Sequence, residues 1–304
     1  MTLKEKIANG KFVVCGELGP PQSSNGGLIR KKVEYFRGLA DGVNITDNQT
    51  AIVRMSSIAA AKIILDEGLE PIIQVTCRDR NRLAIQGDLL GAAALGIENV
   101  LCLTGDHQRF GDQPEAKGVF DLDSVQLIAT ARVMTEGYLL SGHKMKESPR
   151  FFIGGAANPF AEPFDMRILR LAKKIAAGAQ FIQTQPVFDL EIFHRWMEAI
   201  RVQGLHERVA IIAGIMPVKS VKALLHMQAE VPGVRIDRQY IDRLQTAPDP
   251  QEEGIKIAVE IIKELKTITG LKGVHLMPVM WESIFPRIVE EAGLASQGPK
   301  ETSS

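Results

Sequence analysis

The sequence has only three cysteines, Cys15, Cys77 and Cys102, in 304 residues. They are odd in number, far apart and embedded in apolar segments, so they provide neither a disulfide framework nor a CxxC metal site. We expect all three to lie in the core of a protein from a reducing compartment. The six histidines show no HxH or HExxH spacing, so the sequence predicts no bound metal.

An excess of charge of one sign and long apolar runs are also missing. Lys plus Arg and Asp plus Glu number 36 each, so no net basic field attracts nucleic acid or an anionic membrane. No run reaches the roughly 18 apolar residues of a spanning helix, and the opening MTLKEKIANGKFVV lacks the apolar region of a signal peptide. We therefore expect a cytoplasmic protein whose partners are small molecules or other proteins.

A glycine-rich phosphate-binding motif is absent as well. The first apolar segment, FVVCGEL, is followed by Gly19, Pro20 and Pro21 rather than by the glycine fingerprint of a doubly wound fold, and GxxxxGK[ST] occurs nowhere. The sequence instead contains eight apolar strand segments that alternate with helical ones. This alternation predicts an α/β protein with one domain, a (β/α)8 TIM barrel over residues 1–294, followed by a disordered tail at 295–304.

The predicted elements follow from apolar periodicity and from Gly and Pro punctuation. The predicted strands are 12–18, 42–47, 71–77, 99–106, 151–159, 181–188, 209–217 and 273–278. The predicted helices are 3–8, 29–39, 52–67, 82–95, 122–135, 166–177, 190–202, 221–229, 237–245, 254–268 and 281–292.

Two connections, 107–121 and 138–150, are longer than a barrel requires. Long loops at the active face of a barrel tend to be lids or binding elements, and we expect this of both. The first directly follows Asp106.

Polar residues end several of the apolar strands. In a barrel, the carboxyl ends of the strands surround the active site. A turn cap or a salt bridge at the rim is an alternative for each polar residue, but carboxylates and amides that face one mouth favour a functional site. The predicted rim residues are Glu17, Thr46, Asp47, Gln74, Thr76, Asp106, Asn158 and Gln185.

Glu17 and Asp106 are the two carboxylates that we expect to carry chemistry. Glu17 lies between an apolar run and two prolines, where poor solvation would raise its pKa and suit a general acid. Asp106 follows Gly105, which has no Cβ and lets the backbone approach a ligand. Asp106 would stay ionised and stabilise a cation or accept bonds from a heterocycle. Lys173 and Lys174 lie on a predicted helix, and their position alone predicts solvated side chains.

Six segments together resemble the catalytic domain of the methylenetetrahydrofolate reductase family. They occur in the order found in that family and span most of the chain. The segments are GELGPP at 16–21, TCRDRN at 76–81, LTGD at 103–106, GVFDLDS at 118–124, KIAAGAQFIQTQPVFD at 174–189 and GIMPV at 214–218.

The resemblance implies a flavin, usually FAD, at the carboxyl ends of the strands. The reduced flavin would pass a hydride to 5,10-methylenetetrahydrofolate and give 5-methyltetrahydrofolate. Glu17 would be the acid that opens the imidazolidine ring, Asp106 would stabilise the iminium cation, and Gln185 would bind the pterin. Met227 is a further implied substrate contact. The implied flavin contacts are Thr46, Gln74, Thr104, Gly105, Asp106, Phe120, Asp121, Asn158, Arg170 and Lys174.

The resemblance changes the interpretation of Lys174. The family has a lysine at this position near the flavin pyrimidine, where a positive charge favours the anionic reduced ring. Lys174 is therefore predicted to face the flavin, whereas Lys173 keeps its solvated interpretation.

Several positions depart from residues common in the family. Thr104, Gln74, Asn158 and Glu162 replace an arginine, a histidine, a tyrosine and a histidine around the flavin, so FMN stays an alternative to FAD. Trp281 replaces an arginine near the folate tail. These departures resemble a shorter branch of the family that pairs with a zinc-binding partner subunit, so the electron donor is NADH or a protein, and we expect an oligomer.

Two other functions stay open. One is a folate-binding barrel subunit without redox activity. The other is an unrelated barrel lyase or aldolase in which Lys174 forms a Schiff base. Aldolase lysines usually lie on a strand inside the barrel, whereas Lys174 is predicted on a helix, which disfavours this alternative.

Overall fold

The computed structural model describes residues 1–230 and 233–295. Eight parallel strands pair in chain order, and the last pairs with the first to close a barrel, which confirms the predicted (β/α)8 fold. The strands are β1 Val13–Leu18, β2 Gly42–Ile45, β3 Pro71–Thr76, β4 Asn99–Leu103, β5 Phe152–Ala157, β6 Phe181–Pro186, β7 Ala210–Ile215 and β8 Leu271–Leu276.

Helices surround the barrel. Within the two described ranges, none combines the length and the apolar character that a membrane crossing requires. The helices are α1 Leu3–Ala8, α2 Gly27–Val33, α3 Ser57–Asp66, α4 Arg82–Ala94, α5 Ser124–Thr135, α6 Phe164–Ala177, α7 Leu190–Val202, α8 Leu205–Arg208, α9 Val221–Glu230, α10 Arg238–Thr246, α11 Pro250–Leu265 and α12 Phe285–Glu291.

The start of α3 differs from the predicted helix at 52–67. Asn48, Thr50 and Ala51 have positive φ angles, and the N–H of Met55 donates to the carbonyl oxygen of Pro21. These turns hold the chain away from helical geometry until Ser57. The apolar residues before α3 therefore belong to a loop at the rim of the barrel.

Two apolar clusters hold the fold together. A small cluster inside the barrel fills its amino-terminal end, and Leu3 of α1 covers it from below. A larger cluster packs the outer faces of the strands against the helices. Cys15, Cys77 and Cys102 are all buried, as predicted. Burial raises the pKa of the Cys77 thiol to about 12 and also raises the pKa of the other two, so all three stay protonated near neutral pH.

The two long connections lie at opposite ends of the barrel. The loop 107–121 follows β4 and therefore lies at the carboxyl-terminal face. The loop 138–150 leads from α5 into β5 and therefore lies at the amino-terminal face, so the prediction that it belongs to the active face is wrong. Of the predicted tail at 295–304, residues 296–304 lie outside the described part of the chain.

Candidate active site

A cavity of about 760 Å³ lies at the carboxyl ends of the strands, and we call it the main cavity. Residues from all eight strands or the loops directly after them line it. A smaller cavity of about 240 Å³ adjoins it, lined in part by Thr104, Asn158, Arg167, Arg170 and Lys174. The two cavities share Leu103, Thr104, Ala156 and Gln185, so one ligand can extend across both.

Four buried polar side chains lie at the inner end of the main cavity, above the apolar cluster that fills the barrel. We call Glu17, Gln74, Gln183 and His275 the polar floor. Alternate residues of a strand face the same side. Glu17 therefore follows Val13 and Cys15 on the inner face of β1, and Gln183 follows Phe181 on the inner face of β6.

Glu17 is the centre of the polar floor. The Gln74 Nε2 atom donates to Oε2 of Glu17 at 3.4 Å, and the His275 Nε2 atom lies 3.4 Å from the same oxygen. The carboxyl group is 8% exposed and lines the cavity. Gln74 thus holds one oxygen of Glu17, and the imidazole of His275 lies beside that oxygen without a hydrogen bond to any described residue. The carboxyl group stays within reach of a bound ligand.

Asp47 and Thr76, also predicted at the rim, have a structural role. The Asp47 Oδ2 atom accepts hydrogen bonds from the N–H and the Oγ1 of Thr76, both at 2.9 Å, and pairs with Arg80. These bonds tie the end of β2 to the end of β3. For Asp47, the structure supports the rim salt bridge that is the alternative to a catalytic role, and Thr76 is a hydrogen-bond donor to it.

Gly105 and Asp106 form the mouth of the main cavity after β4. Gly105 has a φ angle of +92°, and a Cβ atom there would lie 3.0 Å from Cβ of Arg78 and 3.1 Å from Cβ of Thr76, so only glycine fits without strain. Arg78, which is 1% exposed, donates to the backbone oxygen of Asp106 at 3.3 Å. This contact fixes the turn, while the Asp106 carboxylate is exposed and lines the cavity.

Lys174 is buried, so the interpretation of this residue as solvated is wrong. Its Nζ atom donates to the carbonyl oxygen of Ala156 on β5, and its side chain lines the smaller cavity. Burial, followed by the nearby charge of Arg170, lowers the pKa of the Lys174 amine to about 8. Together with Arg167 and Arg170 it gives this cavity a positive wall. Lys173, by contrast, is exposed, as predicted.

The remaining predicted contacts fall into two groups. Thr46, Gln185 and Met227 line the main cavity, and Gln185 also lines the smaller one. Thr46 is 1% exposed, and its Oγ1 atom has no hydrogen-bond partner among the described residues. The side chain of Asn158 lines the smaller cavity, where its Oδ1 atom accepts from the N–H of Phe160.

Phe120 and Asp121 line neither cavity. The N–H of Phe120 donates to the carbonyl oxygen of Cys77, and both Asp121 carboxylate oxygens accept from the guanidinium of Arg82 at 2.9 Å. The hydrogen bonds with Arg82 lower the pKa of the Asp121 carboxyl to about 2. These two residues hold the loop 107–121 against the end of β3 and the start of α4. Their contacts with a flavin stay a prediction.

Four residues to which we give a place in the site were not predicted as such: Arg78, Arg167, Gln183 and His275. Gln183 had a signal in the sequence, because it precedes Gln185 by two positions on one strand and therefore faces the same side. Arg78 and His275 had no comparable signal. Their positions depend on the closure of the barrel and on the loops around it.

Comparison with known proteins gives one family. The sequence pattern of the family described as methylenetetrahydrofolate reductase matches residues 2–293. Methylenetetrahydrofolate reductase 1 of Schizosaccharomyces pombe is 27% identical over 242 residues, which cover 76% of this chain and 37% of the relative. The 5,10-methylenetetrahydrofolate reductase of Pectobacterium carotovorum is 28% identical over 277 residues, which cover 88% of this chain and 85% of the relative.

A probable methylenetetrahydrofolate reductase (NADH) of Oryza sativa is 26% identical, and the match covers 97% of this chain and 50% of the relative. The chain thus spans half or less of the length of the yeast and rice relatives. Among solved structures, a Clostridium thermocellum protein described as binding two copies of 5-methyl-5,6,7,8-tetrahydrofolic acid superposes with a TM-score of 0.68 at 18% identity. That match covers 96% of this chain and 97% of the other, and it supports the barrel fold.

Proposed function

The chain belongs to the methylenetetrahydrofolate reductase family, a family of flavoproteins, and we propose that it reduces 5,10-methylenetetrahydrofolate to 5-methyltetrahydrofolate. The observation that carries the proposal is that Glu17 on β1, Gln185 on β6 and Asp106 in the loop after β4 line one cavity. The folate described in the Clostridium thermocellum structure and the names of the curated relatives support the same substrate.

The residues around the two cavities fit a flavin. The unpartnered, buried Thr46 Oγ1 atom is available to a polar ring atom, and Leu103, Ala156 and Met216 provide apolar wall. We propose that the flavin is FAD, which is usual in the family. Lys174 would lie by its ring, and Arg167 and Arg170 would bind its phosphate groups, because guanidinium groups bind phosphate well. If the bound flavin is FMN, the proposal of FAD is wrong, but the proposed reaction is unaffected. When bound and reduced, the flavin supplies the hydride that the methylene carbon of the substrate accepts.

In this proposal, Glu17 acts as the acid. The bond between N10 and the methylene carbon breaks, the Glu17 proton goes to N10, and the carbon is left as an iminium cation on N5. Asp106 provides a fixed negative charge near this cation, and Gln185 and Met227 hold the pterin. The attraction to Asp106 is strongest when positive charge develops on the substrate, which is the condition for lowering the barrier.

The electron donor is either NADH or a partner protein. The relative from Oryza sativa is described as an NADH enzyme. The zinc-binding partner subunit and the oligomeric state stay predictions. The rival function is a folate-binding barrel without redox activity.

An anaerobic experiment on the purified protein tests the proposal. We expect a flavin absorbance that dithionite bleaches, that methylenetetrahydrofolate restores, and that yields 5-methyltetrahydrofolate by chromatography. NADH in place of dithionite tests the donor, and chromatography of the released flavin distinguishes FAD from FMN. A colourless protein that binds folate and takes up neither flavin would support the rival function and contradict ours.

A further inference from the structure

We propose that Gln183 is a further specificity-determining residue, whose side-chain amide binds the lactam edge of the pterin, where an N–H and a carbonyl group are adjacent. This inference rests on the proposed function. It adds a deeper contact to those expected of Glu17, Asp106 and Gln185.

The evidence is that the Gln183 amide is buried and lacks hydrogen-bond partners among the described residues. The residue is 3% exposed, lines the main cavity, and neither its Nε2 nor its Oε1 atom has a hydrogen-bond partner among the described residues. In the strand ladder it stands opposite Ala156 on β5 and Ile212 on β7, whose side chains can neither donate nor accept. The neighbouring strands therefore give this amide nothing to bind.

Such an amide costs stability unless a ligand satisfies it. A buried polar group without a partner destabilises the folded state, so an apolar residue would be favoured at this position if folding alone mattered. A primary amide presents an N–H donor next to its carbonyl acceptor, which matches the adjacent acceptor and donor of a lactam. The chemistry of Gln183 therefore indicates a heterocycle edge rather than a phosphate or a carboxylate.

The position of Gln183 favours the pterin over the flavin. Gln183 lies on the same inner face of β6 as Gln185, two residues deeper, and belongs to the polar floor together with Glu17. Glu17 acts on the folate in the proposed reaction. The positive wall assigned to the flavin, with Lys174 and Arg170, lines the other cavity, which Gln183 does not reach.

Gln183→Met tests the inference, because methionine matches the length of glutamine and has no strong donor or acceptor. The readouts are the Kd for 5-methyltetrahydrofolate by calorimetry, the flavin content and the Tm. We expect Kd to rise at least tenfold, the flavin content to stay unchanged, and the Tm to stay or rise. Gln203→Met, on the exposed carboxyl end of α7, is the matched control and should change none of the three. If Gln183→Met does not fold, Gln183→Leu serves the same test.

Three results would overturn the inference: a Kd within twofold of the unmodified protein, a fall in Tm of several degrees, or loss of flavin with the pterin affinity kept. The last would assign the amide to the flavin.

If the unmodified protein binds 5-methyltetrahydrofolate but does not turn over methylenetetrahydrofolate, and Gln183→Met still weakens binding, the proposed function fails and the inference stands. If the unmodified protein turns over methylenetetrahydrofolate and Gln183→Met leaves the Kd unchanged, the inference fails and the proposed function stands. If the unmodified protein binds no 5-methyltetrahydrofolate, both fail.

Discussion

The Nε2 atom of His275 lies 3.4 Å from Oε2 of Glu17, across the seam where β8 pairs with β1 and closes the barrel. Both side chains are buried, and Gln74 approaches the same oxygen from β3. The proposed acid is therefore held between two strands that lie more than 200 residues apart in the sequence. The closure of the barrel, rather than any local motif, creates this arrangement.

Replacement of His275 should impair turnover without loss of flavin. We expect His275→Leu to lower kcat roughly tenfold, because Glu17 would lose the polar side chain that lies 3.4 Å from its carboxyl oxygen and would be oriented less well toward the substrate. Steady-state kinetics and flavin content are the measurements. The control is His194→Leu, since His194 faces Glu264 at 3.3 Å on the exposed outer surface. A kcat for His275→Leu within twofold of the unmodified protein would contradict a positioning role.

Lys174 should make the stability of the flavin-free protein rise with pH. Burial lowers its pKa to about 8 in the folded protein, whereas the unfolded chain keeps the ordinary value of about 10.4. Between these values, the unfolded state binds more protons, so the free energy of unfolding increases with pH. Urea unfolding at about pH 7.5 and about pH 9.5 measures the effect.

Lys174→Met should remove this component of the pH dependence, and Lys173→Met, on the exposed face of α6, should leave it in place. An equal slope in both variants would show that Lys174 is not the titrating group.

Gly105→Ala should disrupt the mouth of the main cavity. The new Cβ atom would meet Arg78 and Thr76 at 3.0 and 3.1 Å, in addition to the strain of a positive φ angle. We expect a loss of roughly 1–3 kcal/mol of stability and a lower flavin content. Gly142→Ala is the matched control, because Gly142 has a φ angle of +84° and open space around its Cβ position. If both variants lose the same stability and keep their flavin, the close contacts at Gly105 are irrelevant.

Asp121→Asn tests whether Asp121 contacts the flavin or only the protein. Because Asp121 binds Arg82 and lines neither cavity, we expect unchanged flavin content and turnover, with a lower Tm. The pKa of the Asp121 carboxyl is lowered to about 2 by Arg82, so its contribution to stability is lost as pH falls from about 4 to 2. Loss of flavin in Asp121→Asn would instead support the contact that the family resemblance implies.

Much of the barrel could be predicted because each strand is a continuous apolar segment between turn residues. The segment NVLCL of β4, for example, is typical of a strand buried on both faces. The start of α3 could not be predicted, because the apolar residues before it lie in turns that contact Pro21, which is distant in sequence. The loop 138–150 leads from a helix into the next strand, and this order is enough to place it at the amino-terminal face of the barrel.

The site was predicted less completely than the fold. The strand-end rule placed Glu17, Asp106 and Gln185 around one mouth, but it also selected Asp47, which the structure pairs with Arg80. The helix pattern alone predicts an exposed Lys174, because burial depends on how α6 packs against β5. The resemblance to the family, in contrast, predicts that Lys174 faces the ligand.

The central claim is that Glu17 supplies the proton that opens the folate ring. Stopped-flow absorbance can measure separately the reduction of the flavin by its donor and its reoxidation by methylenetetrahydrofolate. For Glu17→Gln, we predict normal flavin content, a normal rate of reduction and a rate of reoxidation at least about 100-fold lower. The control Glu98→Gln, at an exposed residue before β4, should match the unmodified protein in both steps. Reoxidation of Glu17→Gln at a near-normal rate would remove Glu17 from the role of acid.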